Sequence, residues 1–132
     1  CQVMDQLVPG EAKFVETDIS NSHFVNSLLD GADLRRANCT RALFVGANLS
    51  NIDASEANLS FADLSDSIAC RASFVRASLR GANFSGANLE GADFTGAEIR
   101  GSVFDGCNLR DVIWVDGTPL ITETVNEPRD TR

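Results

Sequence analysis

The chain has 132 residues, 43% of them hydrophobic, and a formal net charge of −8. That composition excludes disorder for want of apolar surface, the length suits one domain, and no apolar run is long enough to read as a membrane-spanning helix. One Lys and ten Arg, scattered along the chain, exclude general binding to nucleic acid or anionic membranes, and solubility accounts for the acidic balance.

The first segment, residues 1–11, contains Pro9 and Gly10 and reads as a lead-in that covers one end of the region beginning at residue 12. It carries no recognisable signal or transit pattern. Cys1 stands where Met is usual. It reads either as the lipid-bearing start of a processed bacterial lipoprotein or as an arbitrary chain boundary, and the second reading is preferred.

From residue 12 to residue 116 a period of five governs the chain. Every fifth residue from Phe14 to Trp114 is large and apolar: of 21 positions, 18 are Phe, Leu, Ile or Trp, and the others are Cys39, Ala54 and Ala69. Seven of the eight Phe residues fall in this register. Two residues earlier runs a second register, Ala12 to Val112, in which Ala or Ser fills 17 of 21 places. A helix cannot use this pattern. Five residues advance about 500°, so successive large residues drift around the axis instead of sharing a face. A straight strand cannot use it either, because side chains alternate and five is odd. The pattern works if the chain turns a corner once per repeat, pointing one large and one small residue inward and three outward. Stacked turns then satisfy the backbone through hydrogen bonds between neighbouring coils, which makes a solenoid.

The motif Ala-(Asp/Asn)-(Leu/Phe)-X-X recurs as Ala32-Asp33-Leu34, Ala47-Asn48-Leu49, Ala57-Asn58-Leu59, Ala82-Asn83-Phe84 and Ala92-Asp93-Phe94. It resembles the pentapeptide-repeat family over about residues 12 to 116. The resemblance implies an all-β fold, a right-handed quadrilateral β-helix with four repeats per coil. Twenty-one repeats then make about five coils and a core roughly 25 Å long. A twenty-residue coil stacks the large residues in four columns, among them Phe24, Phe44, Leu64, Phe84 and Phe104, and a second with Phe14, Leu34, Ala54, Phe74, Phe94 and Trp114. Ile52 is large where a small residue is expected and Ala54 small where a large one is, a volume swap within one repeat. Gly81, Gly86, Gly91, Gly96, Gly101 and Gly106 end six consecutive repeats. Corners with positive φ suit Gly, so the second half is expected to turn more uniformly, with room for a different turn type. Trp114 is expected to close the last coil, and residues 117–132 to form a loose tail in which Leu120 and Ile121 fold back as a partial cap.

Chemical motifs are sparse. Cys39 and Cys107 lie in inward registers more than three coils apart, too far for a disulfide, and Cys70 is expected to point outward without a role. No Cys or His has zinc-ligand spacing. His23 is the sole histidine and reads as a surface residue. Asn-X-Ser/Thr triplets such as Asn58-Leu59-Ser60 follow from the repeat itself, and the glycine run lacks the Lys of a phosphate loop. No catalytic residue, metal ligand or cofactor site is expected. Outward aliphatics offer one candidate interaction patch, Val25, Leu43, Val45 and Val103, with Val15, Val75, Ile113 and Val115 on another face.

The expected function is therefore a non-enzymatic binding or scaffold module that presents a rigid surface to a protein partner. End-to-end or face-to-face dimers are compatible with it. The resemblance implies one alternative, because some relatives protect DNA gyrase by imitating the duplex in shape and charge. That needs an acidic stripe, whereas residues 12 to 116 carry 14 acidic and 9 basic side chains, mixed when sorted by face. The relatives' internal loops and dimer-forming ends are not evident either. The family is also abundant in cyanobacteria and chloroplasts, which leaves cytoplasm, periplasm and thylakoid lumen open as compartments.

Overall fold

A computed structural model of the chain describes residues 12–119; the expected lead-in over 1–11 and the expected cap at Leu120 and Ile121 lie outside them. Every repeat has the same local form: one bridge residue, one central inward residue and a two-residue turn. Parallel bridges join residues twenty apart, from Lys13 with Asp33 through Leu43 with Asp63 to Asp93 with Ile113. Four corners per twenty residues make a four-sided coil. We number the faces by their central residues: face one through Phe14, Leu34 and Ala54, face two through Ile19 and Cys39, face three through Phe24 and Phe44, face four through Leu29 and Leu49. The first coil holds Phe14 to Leu29, and each later coil adds twenty.

The repeat from Ala32 to Arg36 shows where five backbone N–H groups go. Asp33 donates back to Ala12 O at 3.0 Å, while Leu34 and Arg36 donate forward to Asp53 O and Ser55 O at 2.8 and 3.0 Å. Ala32 donates to Leu29 O across the corner at 2.9 Å. The fifth N–H, on Arg35, points at no backbone acceptor and is taken by Asp33 Oδ1 at 3.2 Å. The same bond recurs from Thr40 to Asn38, Ser50 to Asn48, Ser60 to Asn58 and Thr95 to Asp93. This is the physical reason for Asp or Asn beside the central residue. Its short side chain reaches the N–H two residues on, as in an Asx turn.

Each corner has its third residue in the left-handed region, the backbone a type II turn requires. The expected change of corner at Gly81 does not occur. Non-glycine corner residues from Glu16 to Asp111 have φ of 56–62°, and corner glycines from Gly31 to Gly106 have 68–77°. One ladder fixes one corner geometry throughout, and Arg, Glu and Phe are held in it against their own preference.

Inside the tube the two expected columns hold stacked rings. Phe24 and Phe44 stack at 5.3 Å between centroids, Phe84 and Phe104 at 5.1 Å, and Phe74 and Phe94 at 5.1 Å. The columns meet edge to face, Phe84 lying 5.6 Å from Phe74 and 5.9 Å from Phe94. Leu64, Phe44, Phe84 and Phe104 are buried; Phe24, in the first coil, is half-buried. Ile52 and Ala54 are both buried, in keeping with the volume swap. Burying each large side chain contributes about 1.5–3 kcal/mol. At the far end Trp114 is buried, and its N–H donates to Thr118 O in place of a further coil. Pro119 returns antiparallel beside Ile113.

Two substitutions of opposite sign test this account. Asn48 is buried, and replacing it with Leu strips the buried Ser50 N–H of its acceptor. Asn48→Leu is expected to cost about 1–3 kcal/mol, read as a lower denaturation midpoint. Ser67 sits in an Ala register, and among the described residues its buried hydroxyl finds no hydrogen-bond partner. Ser67→Ala is expected to raise stability by about 1 kcal/mol, read in the same titration.

Candidate interaction surface

Among the described residues no three His, Cys, Asp or Glu side chains gather closely enough to hold a metal ion. His23 is exposed. The thiols of Cys39 and Cys107 are pushed up to about 12 and about 11 by burial, so neither supplies a thiolate nucleophile near neutral pH. Asp33 is held below the usual carboxylate range by the hydrogen-bonded Arg35 guanidinium, which it meets through two contacts at 2.8 and 2.7 Å. Asp18 is lowered by hydrogen bonds from Ser20. These are local surface pairings, and none adjoins a nucleophile.

The apolar residues on face three are distributed unevenly. Val25 is exposed, and Leu43 and Val45 are half-buried in the next coil. Val103 is exposed too, but it belongs to a row in which Asp63 and Asn83 intervene after Leu43. The four residues therefore form a cluster of three and an outlier. Sequence reasoning left out two exposed apolar residues, Leu28 on face four of the first coil at 60% and Phe61 at the corner between faces two and three at 57%. Its ring has a partner on either side in its own corner column. The Arg41 guanidinium carbon lies 5.5 Å from the ring centroid, a cation–π arrangement. On the other side the ring lies across Gly81, where a Cβ would come 2.5 Å from Phe61 Cδ1. Reading the corner residues at a period of twenty, not five, brings Arg41, Phe61 and Gly81 into one column.

The same period reveals a ladder on the corner between faces one and two. Arg36 meets Glu16 at 2.9 Å and Glu56 at 3.8 Å, and Arg76 meets Glu56 at 3.3 Å. The signs alternate, so no two like charges stack in consecutive coils. Such exposed pairs contribute about 0.2–1 kcal/mol each; their main consequence is a neutral edge.

Face four requires a correction. Cys70 does point outward by register, yet it is buried and disulfide-bonded, whereas Cys39 and Cys107 are free. Nothing in the five-residue pattern distinguishes Cys70 from a surface residue.

Comparison with known proteins agrees with this geometry. A family model for pentapeptide repeats, in eight copies, matches residues 12–51, 32–68 and 72–111. The chain is similar to a pentapeptide repeat protein from the Arabidopsis thaliana thylakoid lumen, with 33% identity and a TM-score of 0.71, over 72% of this chain and 66% of that one. It is also similar to the pentapeptide repeat protein Rfr23 from the cyanobacterium Cyanothece 51142, with 26% identity and a TM-score of 0.61, over 79% of this chain and 80% of that one. QnrB1, a plasmid-mediated fluoroquinolone resistance protein, shares 21% identity at a TM-score of 0.55, over 76% of this chain and 70% of its own. At that identity it shares the fold alone. This chain thus spans just under two thirds of the Arabidopsis protein. No curated protein sequence matches it significantly.

Gly81 and Gly101 separate the Phe61 seat from ordinary corner strain. Both have positive φ, but a Cβ at Gly101 would meet backbone atoms of Gly81 at an ordinary 3.6 Å. Each Ala substitution is expected to cost about 1 kcal/mol or more for the backbone alone. Gly81→Ala is expected to lower the denaturation midpoint further than Gly101→Ala, because it also displaces the Phe61 ring. In a Phe61→Ala background the two should become equal.

Proposed function

This chain belongs to the pentapeptide-repeat family, and from that premise we propose that it is a non-enzymatic binding module, with residues 12–116 as the binding unit and a protein as its partner. The observation that carries the reading is Phe61, an exposed aromatic ring held between a guanidinium and a glycine. Interfaces draw most of their energy from a few aromatic and Arg anchors, and an anchor already fixed in the free protein loses little freedom on binding. Leu43, Val45 and Val25 supply apolar ground on the adjoining face, and Arg41 supplies a polar rim. Val103 stands apart as a secondary contact. The repeat fold suits this role because its interior is filled by side chains and its outer faces are flat and rigid. No helix among the described residues is long and apolar enough to cross a membrane.

Imitation of a DNA duplex is the weaker reading. It asks for a run of one sign, and the most regular charged row here, Glu16, Arg36, Glu56 and Arg76, alternates.

A photo-crosslinking residue placed at position 45 tests the proposal in the native cell. It is expected to trap a protein adduct that Phe61→Ala reduces tenfold or more, about 1.4 kcal/mol of lost affinity. The same crosslinker at position 80, on face two, should trap none. Equal trapping from both positions, or trapping that ignores Phe61, rejects the surface.

A further inference from the structure

On face two the row of residues that follow the centres reads Ser20, Thr40, Ser60, Arg80 and Arg100. Arg80 and Arg100 stand in consecutive coils, about 4.8 Å apart along the tube. Nowhere else among the described residues do two cations hold consecutive places of one row. The corner ladder treats stacked charge in the opposite way, with Glu16, Arg36, Glu56 and Arg76 alternating in sign. Arg80 and Arg100 are both exposed, and neither side chain forms an ion pair or a hydrogen bond among the described residues. Glu98, two residues before Arg100 on the same face, is exposed and joins neither guanidinium. Like charges side by side repel, so an anion between them is what this pair lacks.

The backbone beneath the pair is open as well. Earlier in this row each N–H is taken by the Asp or Asn two residues before it: Ser20 by Asp18, Thr40 by Asn38 and Ser60 by Asn58. In the next coil the residue two before is Ser78, whose hydroxyl is turned to Ser60 Oγ at 2.9 Å. In the last coil it is Glu98. The N–H groups of Arg80 and Arg100 therefore have no acceptor among the described residues. They face outward, as the bonds at the equivalent places show, one coil spacing apart. On face three the N–H groups of Val25 and Val45 also lack an acceptor, but their side chains are apolar. Only on face two do open N–H groups in consecutive coils carry guanidinium side chains. The corners that follow them, Gly81 and Gly101, bring no side chain to compete.

We propose that Arg80 and Arg100, with their backbone N–H groups, form a site for one tetrahedral oxyanion of the phosphate class, either free or as the terminal group of a small soluble phosphorylated compound. Donors about 4.8 Å apart straddle one such group, each at an ordinary N···O distance of about 2.9 Å. Outward backbone N–H groups make a concavity for an anion, and the two guanidinium forks close on its remaining oxygens. A net charge of −8 opposes approach to nucleic acid or an anionic membrane, so a single small anion suits the site better than a polyanion. The site is separate from the Phe61 surface and does not rest on it. A small anion bound here leaves no protein adduct at position 80.

Nuclear magnetic resonance reads the site residue by residue. Inorganic phosphate titrated into the full 132-residue chain at constant ionic strength should shift the backbone N–H signals of Arg80 and Arg100 saturably. Those of Ser20, Thr40 and Ser60, already bonded, should stay in place. Arg80→Gln and Arg100→Gln should each weaken binding about tenfold, for the loss of a charged hydrogen-bond donor. Ser78→Asn gives Arg80 N–H the acceptor that the repeat uses elsewhere and keeps both charges, so the fold is secure; it should weaken binding about threefold or more. Arg36→Gln, outside the site, should leave binding unchanged. Glycerol 3-phosphate in place of inorganic phosphate identifies the source: equal shifts mean a terminal phosphate group, and shifts with inorganic phosphate alone mean the free ion. Shifts that do not saturate, shifts spread evenly over the charged residues, or an affinity that ignores Ser78→Asn overturn the site.

Discussion

The hydrogen-bond ladder between coils is the constraint on which the rest depends. Each repeat with a coil on both sides sends two N–H groups forward and one back to residues about twenty positions away. A one-residue insertion would shift the donors that span it off their acceptors and break the inward register of the coil that holds it. That is why the frame holds without a slip from Ala12 to Val115. The ladder also sets the spacing of everything else: rings stack at 5.1–5.3 Å in the core columns because the backbone beneath them repeats at about that interval.

Corner strain shows how strongly the ladder governs. A left-handed residue with a Cβ costs on the order of 1 kcal/mol, and Glu16, Arg36, Arg41, Glu56, Phe61 and Arg76 all accept it. Glycine would avoid that cost, and from Gly81 to Gly106 the chain uses glycine at every corner. The side chains retained at the earlier corners are therefore informative. Those on one corner form the alternating ion ladder, and those on the next hold Arg41 against Phe61. The first three to four coils carry decorated corners and the last coils bare ones, so the distinctive surface is concentrated toward the N-terminal half.

The tube was legible in the sequence because a period of five is incompatible with both regular alternatives, and because Phe24, Phe44, Phe84 and Phe104 fall into one column only if twenty residues make a coil. The reason for Asp and Asn was not legible from periodicity alone. It required counting N–H groups and finding that the residue after the centre has no backbone acceptor, as at Arg35 and Ser50. The supposed change of corner at Gly81 was misleading because residue type at a corner records tolerance, while the ladder imposes the geometry. Phe61 was the one Phe outside the five-residue register, and its seat emerges only when Arg41 and Gly81 are read above and below it. Cys70 could not be separated from an ordinary outward residue, because register assigns the direction of a side chain and not its burial.

A filled tube with no cleft has to act through rows of side chains on its outside, and such rows have a property that a globular surface lacks. Neighbours in a row are twenty residues apart in sequence but one coil apart in space, so a single substitution at a corner changes the surroundings of two others. Phe61 illustrates it: the ring keeps its attitude only while Arg41 lies over one face and position 81 stays without a Cβ. Function in this fold is consequently a property of short columns. A column of charge gives a neutral or a charged edge according to whether the sign alternates, and a column of mixed size gives a ridge or a seat. Here the alternating column makes a neutral edge and the Arg–Phe–Gly column makes a fixed ridge, two coils away from the apolar residue Val25 on the open face three.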